Sequence, residues 1–472
     1  MFRNESEDNF NENTDLTELV EQFEKSLHHN EQIFFDEDAL EQIMEYYEAR
    51  METLKLEKAV DYAISQNPYS SDFIIRKAEI LLHKKKYDDA HALLDKAALF
   101  DSREIDIFLV RADIFMETHK LEEALTTLNE ALDLSQEGEK EFVYAEMSHV
   151  YELMEDYDKA IKYLFMAVEC NPENINILED VAHLVDMTDK YDESIILHKK
   201  IIDKNPYSWI AWYNLGRAYA GMNLYEKALE AFDFSIAINE DFEYVYREAA
   251  DVYFRLDNIK KAIEMFEAAQ QHSPEFDDYS FRIGICYERI EEYKNARFHY
   301  RKATRTDPYH DEALFRIGET YRIEERYDAA LVNYKKALRL DEQNELYLAT
   351  LISIYQILEN EDEIITHMYA LVYARPEVLT YWIDIIKYLY ETANYDEALE
   401  VCAEALLRCG SYAEFEYMES IVLFKTGKER EAFSKLENAL IKDFARHTIL
   451  MDVDERFYYH PRVRRIVELY GK

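Results

Sequence analysis

One position recurs at a fixed interval along most of this 472-residue chain, and it usually holds a small side chain. Its occupants in order are Ala90, Ala124, Ala160, Ser194, Ala228, Ala262, Ala296, Ala330, Ile364, Ala398 and Ala432. A constant 34-residue interval separates successive members, apart from one interval that is two residues longer. A fixed period of this length indicates stacked supersecondary units, each of which buries its apolar face against the next unit.

Each period contains two helical patterns. We number the residues of a unit so that the recurrent residue is position 20. Apolar residues then fall at positions 4, 7, 8 and 11 and again at 20, 24 and 27, which is the spacing of one helix face. A short polar turn separates the two patterns. With only 8 Gly and 7 Pro in the whole chain, there is little room for strands or long loops. The pattern predicts two helices per unit, here named the A helix and the B helix.

The net charge of −44 restricts the classes of partner. Such a surface repels phosphate backbones and anionic lipid, so we expect neither nucleic-acid nor membrane binding. No uncharged apolar run reaches the length of about 18 residues that a membrane-spanning helix needs. The first residues, MFRNESEDNFNEN, show no apolar signal core. A cytoplasmic location is therefore expected.

Catalytic and metal-binding motifs are absent from the sequence. It has no glycine-rich phosphate loop, and no His-Glu-x-x-His zinc motif. His198 falls on position 24, where packing is the expected role, and the four cysteines have no metal-ligand spacing. We predict a protein that is not an enzyme and has no cofactor or metal site.

Two units show the repeat pattern most clearly. One carries Trp212, Leu215, Gly216, Tyr219, Ala228 and Phe232, and the other carries Ile317, Gly318, Tyr321, Ala330, Tyr334 and Ala337. At these positions the chain resembles the tetratricopeptide repeat family, over about residues 37–446. The resemblance implies an all-α fold, an α-solenoid of about twelve helix pairs forming a right-handed superhelix. It also implies a protein that binds other proteins or peptides.

We predict three segments: an acidic N-terminal segment over residues 1–36, the repeat array over 37–446 and a capping segment over 447–472. The N-terminal segment is expected to be partly disordered, with a short helix from about residue 16 to 27. The predicted repeats are 37–70, 71–104, 105–138, 141–174, 175–208, 209–242, 243–276, 277–310, 311–344, 345–378, 379–412 and 413–446.

Three irregularities interrupt the array. Two extra residues near Gly138 allow a hinge at that point. Ile352 and Ile364 replace small residues in the tenth repeat, so its helices should lie farther apart. Glu416 and Glu419 stand where the twelfth repeat should be apolar, which suits an exposed end.

The family resemblance implies that the A helices line a concave surface, chiefly through positions 2, 5, 6, 9, 12 and 13. These positions are mostly acidic in repeats one to five, but carry arginines and aromatic residues in repeats six to nine. The predicted partner-binding residues are Tyr213, Asn214, Arg217, Arg247, Arg255, Phe281, Arg282, Arg289, Phe315, Arg316 and Arg322. Residues 243–344 hold 17 basic and 21 acidic residues, a net charge of only −4.

Arginine forms two-pronged contacts with carboxylate, so this face predicts a groove for an acidic or C-terminal peptide segment. In the alternative interpretation, the same arginines pair internally with Glu248, Asp251, Glu288 and Glu319. The favoured function is a non-catalytic cytoplasmic scaffold or adaptor with a protein or peptide partner, and a monomer is favoured. A self-assembling structural subunit and an accessory regulatory subunit of an enzyme complex are the alternative functions.

Overall fold

A computed structural model of the protein describes residues 16–27, 33–272 and 278–471. Within these ranges the chain is helical apart from short turns and loops, and no strand is found. Consecutive helices pack in pairs. The predicted all-α solenoid is therefore confirmed. The expected disorder of residues 1–15 and the predicted repeat boundary at 276/277 lie outside the described residues.

The chain divides into two compact units, residues 1–252 (unit 1) and residues 253–472 (unit 2). The helices of unit 1 are α1 (16–27), α2 (Glu37–Ala49), α3 (Thr53–Gln66), α4 (Ser71–His83), α5 (Tyr87–Ala97), α6 (Ile105–Glu117), α7 (Leu121–Leu134), α8 (Lys140–Leu153), α9 (Tyr157–Cys170), α10 (Ile175–Thr188), α11 (Tyr191–Lys204), α12 (Trp209–Gly221) and α13 (Tyr225–Ile238). The turn at Gly138, considered above as a hinge, lies inside unit 1.

The division between the units falls within α14 (Glu243–Arg255). The helices of unit 2 are α15 (Ile259–His272), α16 (Asp278–Arg289), α17 (Tyr293–Thr306), α18 (Asp311–Ile323), α19 (Tyr327–Leu340), α20 (Glu345–Ile357), α21 (Glu361–Ala374), α22 (Leu379–Glu391), α23 (Tyr395–Arg408), α24 (Ala413–Lys425), α25 (Glu429–Lys442), a 3-10 helix (Phe444–Thr448), α26 (Ile449–Val453), α27 (Glu455–Tyr458) and α28 (Pro461–Tyr470).

The turn from each A helix to its B helix passes through one residue with left-handed backbone conformation. These residues are Met51, Lys85, His119, Glu155, Asp189, Asn223, Asp257, Glu291, Glu325, Glu359, Ala393 and Gly427. They follow one another at the same interval as the recurrent small residues, and the single longer interval falls at the same place, between His119 and Glu155. The backbone therefore repeats with the same period as the sequence, and of the twelve turn residues only Gly427 is a glycine.

Replacing Ala393 with glycine should stabilise unit 2 by about 0.5–1 kcal/mol. Ala393 is exposed and has a φ of 63°, and a left-handed backbone costs an L-residue about 1–2 kcal/mol, partly offset by the entropy that glycine loses on folding. Urea unfolding of the full chain would measure the change. The reciprocal Gly427→Ala variant should be destabilised by a similar amount. A lower unfolding midpoint for Ala393→Gly would contradict the prediction.

Three A helices cross their B helices at a glycine. A Cβ atom added to Gly284 would lie 2.5 Å from the Tyr300 ring, and one added to Gly318 would lie 2.6 Å from the Tyr334 ring. At Gly216 the added atom would overlap the Phe232 ring. These three aromatic side chains are completely buried. In these three repeats the ring therefore occupies the space in which a Cβ atom of the A helix would lie.

Both outer ends of the helix array are covered. In unit 1, Phe23 of α1 is fully buried, and its ring centroid lies 5.4 Å from that of Tyr62 in α3. In unit 2, Phe457 and Val463 of the C-terminal segment are buried in one cluster with residues of α24 and α25. Solenoids need such covers because a terminal repeat would otherwise expose its apolar face.

The last repeat is less exposed than the sequence indicated. The side chains of Glu416 and Glu419 are only 17% and 19% exposed. Each forms a salt bridge with a lysine of α25, Lys442 at 2.8 Å and Lys435 at 2.7 Å. The expectation of an exposed end at these residues was wrong, because the lysines and the C-terminal segment cover this repeat.

Candidate partner-binding site

The predicted binding residues lie on A helices in both units. Unit 1 holds Tyr213, Asn214 and Arg217 on α12 and Arg247 on α14. Unit 2 holds Arg255 at the end of α14, Phe281, Arg282 and Arg289 on α16, and Phe315, Arg316 and Arg322 on α18. The two groups are described separately below.

In unit 1 the predicted residues are firmly engaged with their own fold. Tyr213 and Asn214 are almost fully buried, and Asn214 Nδ2 donates a hydrogen bond of 2.7 Å to the carbonyl oxygen of Leu178. Burial raises the pKa of Tyr213 to about 12. Arg217 forms a salt bridge with Asp186, and Arg247 pairs with Glu248 at 3.3 Å. Little of this group is available to a partner.

The two phenylalanines in unit 2 are core residues. Phe281 and Phe315 are 7% and 9% exposed, so their rings offer almost no area to a ligand. The Phe281 centroid lies 5.6 Å from that of Tyr300, and the Phe315 centroid lies 5.3 Å from that of Tyr334. Each ring packs against the aromatic residue that fills the glycine crossing of its own repeat. Phe281 also lies 5.9 Å from the guanidinium carbon of Arg316, so it can help to orient that side chain.

The arginines of α18 are held by carboxylates. Arg316 pairs with Glu288 at 3.5 Å and with Glu312 at 3.0 Å, while Arg322 pairs with Glu319 at 2.6 Å. Glu288 also accepts a 2.5 Å hydrogen bond from Tyr300. Glu319 likewise accepts one from Tyr334. Hydrogen bonding adds to burial in raising the pKa of both tyrosines.

This Tyr–Glu–Arg arrangement occurs twice, once across the eighth and ninth repeats and once within the ninth, and it fixes the guanidinium groups of Arg316 and Arg322. Of the four carboxylates considered above for internal pairing, Glu248, Glu288 and Glu319 each form a salt bridge with a predicted arginine. Arg289 pairs with Asp257 at 3.4 Å, Arg282 lies 5.9 Å from the Phe266 ring, and Arg255 is exposed. Pairs that remain partly exposed contribute at most about 1 kcal/mol each, so a ligand carboxylate can compete with them.

The sequence did not reveal that acidic side chains on the A helices of unit 1 have raised pKa values. Burial raises the pKa of seven carboxyl groups on four consecutive A helices, those of Glu79, Asp106, Asp113, Glu146, Glu152, Asp180 and Asp186. For Asp113 the value reaches about 7. The sequence does show acidic residues recurring at positions 2, 6, 9 and 12 of these repeats, but only the structure shows how deeply they are buried.

Metal coordination and membrane spanning were also assessed. In the described ranges, no group of three or more His, Cys, Asp and Glu residues could hold a metal ion. Nor does any described helix combine the length and apolar character required to cross a lipid bilayer.

Family models of the tetratricopeptide repeat match several segments that correspond to these helix pairs. One model matches residues 209–242 and 311–344, a second matches 247–311 and a third matches 143–174. Each segment matched by the first model has the length of one period of the sequence and of the turns. The chain is a tetratricopeptide repeat protein. Repeats of this family stack into extended binding surfaces, which makes protein interaction the general role of the fold.

Several solved structures resemble this chain at low sequence identity. The crystal structure of MamA is 22% identical and covers 34% of this chain and 95% of its own, with a TM-score of 0.33. YrrB, described as a TPR protein with an unusual peptide-binding site, is 20% identical and covers 40% and 96%, with a TM-score of 0.34. The Cut9–Hcn1 hetero-tetramer of the APC/C is 14% identical and covers 92% of each chain, with a TM-score of 0.35. None of the curated proteins matches the chain.

Proposed function

We propose that this tetratricopeptide repeat protein is a non-catalytic scaffold or adaptor, which binds an acidic or C-terminal segment of a protein partner through the arginines of α16 and α18 in unit 2. The observation that carries the proposal is the repeated Tyr–Glu–Arg arrangement on α16–α19. It holds the guanidinium groups of Arg316 and Arg322 in place, while their side chains remain 33% and 43% exposed.

Some hydrogen-bond donors of these guanidinium groups remain available to a partner. Each carries five N–H donors in a planar fork. Among the described residues, the hydrogen bonds and salt bridges of Arg316 use Nε and Nη1, and those of Arg322 use Nε and Nη2. A partner carboxylate can bind the remaining terminal nitrogen. Because the side chains are already ordered, such binding loses little side-chain entropy.

Reversing two of these charges should weaken peptide binding at least tenfold. The probe is a fluorescein-labelled 12-residue peptide of glutamate, serine and leucine with a free C-terminal carboxylate, titrated by fluorescence anisotropy. In the Arg282→Glu, Arg316→Glu variant, two attractive contacts become repulsive, and a tenfold loss corresponds to about 1.4 kcal/mol.

A second double variant controls for net charge. Lys162→Glu with Lys204→Glu makes the same charge change at exposed positions on B helices of unit 1, and should leave affinity within about threefold. Circular dichroism should show unchanged helicity in both variants. Equal affinity of the wild type and the Arg282→Glu, Arg316→Glu protein, with helicity intact, would refute the proposed site.

A further inference from the structure

Helix α17 in unit 2 has an unusual composition for such an acidic protein. It contains five basic residues and no aspartate or glutamate. Lys294, Phe298, Arg301 and Arg305 lie at spacings of four, three and four residues, which places them on one face of the helix. All four are exposed, and the Phe298 side chain is 62% exposed. An exposed aromatic ring therefore lies within a row of cations.

The next B helix, α19, repeats this pattern. One repeat period after Phe298, Arg301, Lys302 and Arg305 stand Val332, Lys335, Lys336 and Arg339, and all of them are exposed. Val332 is 55% exposed. In no other predicted repeat are positions 25, 26 and 29 all basic. The same combination of an apolar residue and three basic residues thus occurs on two consecutive B helices and is confined to them.

Side-chain contacts bring the two helices together. The Tyr321 ring lies 4.4 Å from the guanidinium carbon of Arg297 in α17 and 4.8 Å from that of Arg326, directly before α19. Arg301 Nη2 also donates a 2.7 Å hydrogen bond to the Tyr321 hydroxyl. The nearby carboxylate of Glu324 pairs with Arg297 at 2.9 Å and with Arg326 at 3.6 Å. Glu324 is therefore already neutralised by these two arginines.

Fewer of the basic side chains on this surface pair with a carboxylate than on α18. Lys302 binds the neutral Gln270 side chain at 2.6 Å, and Lys335 pairs with Glu363 at 3.2 Å. Lys294, Arg305, Lys336 and Arg339 form no salt bridge with any carboxylate in the described part of the chain. Beside α19 there is a groove of about 410 Å³. It is lined by Lys335 and Arg339, by the apolar Leu338, Leu348 and Ala370, and by Glu342, Glu363, Thr366 and His367.

We propose that the exposed faces of α17 and α19 form a second docking surface, for an acidic segment of a partner protein that also carries apolar side chains. The segment's carboxylates contact Lys294, Arg305, Lys336 and Arg339, and its apolar residues cover Phe298 and Val332. Residues 294 to 305 span about 16 Å of helix, enough for about five residues of an extended chain. The surface is independent of the A-helix arginines invoked above.

A protein segment fits this surface better than nucleic acid does. A nucleic acid longer than the surface would extend over the rest of a chain whose net charge is −44. A short acidic segment can remain on the basic surface. Salt then screens it from acidic residues of the chain that lie more than roughly 10 Å away. The exposed Phe298 and Val332 also favour a ligand with apolar side chains.

The test uses a fluorescein-labelled 14-residue peptide of glutamate and leucine with an amidated C-terminus, titrated by fluorescence anisotropy in 0.15 M salt. A variant with Lys294→Glu, Phe298→Ser and Arg305→Glu should bind at least tenfold more weakly. Its helicity and urea midpoint should not change, because all three side chains are exposed.

The matched control combines Ile196→Ser with Lys199→Glu and Lys204→Glu on α11. Ile196 occupies the same repeat position as Phe298 and is 69% exposed, and the charge change is identical. The control should bind this peptide within threefold of wild type. Because the A-helix arginines are also proposed to bind acidic segments, the α17 and α11 substitutions are compared again in the Arg282→Glu, Arg316→Glu background, where the tenfold loss should persist. Wild-type affinity in the α17 variant, or equal losses in the α17 and α11 variants, would overturn the docking surface. Tighter binding of a 14-nucleotide single-stranded DNA than of the peptide would overturn its assignment to a protein.

Discussion

The Gly216→Ala variant should lower the free energy of unfolding of unit 1 by about 2 kcal/mol. The added methyl group overlaps the Phe232 ring, which is fully buried. Overpacking of this kind costs about 1–3 kcal/mol, and the better helix propensity of alanine returns at most about 1 kcal/mol. Urea unfolding of the full chain would measure the loss. Faster amide hydrogen exchange in α12 and α13 would locate it.

Other repeats show how the loss can be repaired. Ala112 packs in one cluster with Leu128, and Ala78 in another with Leu94, so two repeats combine alanine at position 8 with leucine at position 24. The fifth and seventh repeats instead combine Ala182 with His198 and Ala250 with Phe266. Adding Phe232→Leu to Gly216→Ala should therefore recover at least half of the lost stability. Gly138→Ala is the control, because a Cβ atom there meets nothing within 4 Å. A double variant no more stable than Gly216→Ala alone would contradict this account of the crossing.

The same crossings show how far the sequence predicts the fold. The fixed period was sufficient to predict the helix pairs, because it records where small residues let two helices approach. The period alone did not reveal that Phe281 and Phe315 are buried. The family pattern assigns their position 5 to the concave surface, but in these repeats the ring at position 5 packs on the aromatic residue at position 24.

That burial depends on three positions together. Tyr213 in the sixth repeat behaves in the same way, with its ring centroid 6.2 Å from that of Phe232. All three repeats combine glycine at position 8 with aromatic residues at positions 5 and 24. Because glycine has no Cβ atom, the ring at position 24 of the B helix packs directly against the A helix. The ring at position 5 then packs on the ring at position 24. This combination of residues is visible in the sequence, but only the structure shows that it buries the side chain at position 5.

The salt bridges also differ in how far the sequence predicts them. Arg322 and Glu319 stand one helical turn apart on one helix, so helical spacing alone makes their pairing possible. Arg316 and Glu288 belong to different helices in successive repeats, and only the stacking of those repeats brings them to 3.5 Å. Whether the arginines of repeats six to nine bind a partner stays a prediction, which the charge-reversal variants test.

Unit 1 should lose stability as the pH rises from about 4 to 7, and Asp113 should be a main contributor. Burial, followed by the repulsion of Glu146, raises the pKa of Asp113 from 3.8 to about 7. Between these values the folded protein keeps a proton that the unfolded chain releases. The unfolded state then binds fewer protons, so the free energy of unfolding falls with increasing pH. The loss begins near the unfolded pKa and is complete above the folded pKa.

Replacing this carboxyl group with an amide should remove most of the dependence. An uncharged amide in the Asp113→Asn variant avoids the burial of charge, and it can still donate a hydrogen bond to Glu146. A pKa shift of about three units corresponds to at most about 4 kcal/mol. Since Asp113 remains partly exposed, we expect Asp113→Asn to stabilise unit 1 by about 2 kcal/mol at pH 8 and by little at pH 4.

Urea unfolding of wild type and variant at pH 4, 6 and 8 would measure this difference directly. The exposed Asp88 in α5 supplies the control, since Asp88→Asn changes the net charge equally and should change stability by less than about 0.5 kcal/mol. Equal pH slopes for wild type and Asp113→Asn would show that this carboxyl group is already ionised at neutral pH. Suppose instead that Asp113→Asn is more stable than wild type at pH 8 but not at pH 4. Folding must then raise the pKa of the Asp113 carboxyl group, because only a group with a raised pKa opposes folding when it ionises.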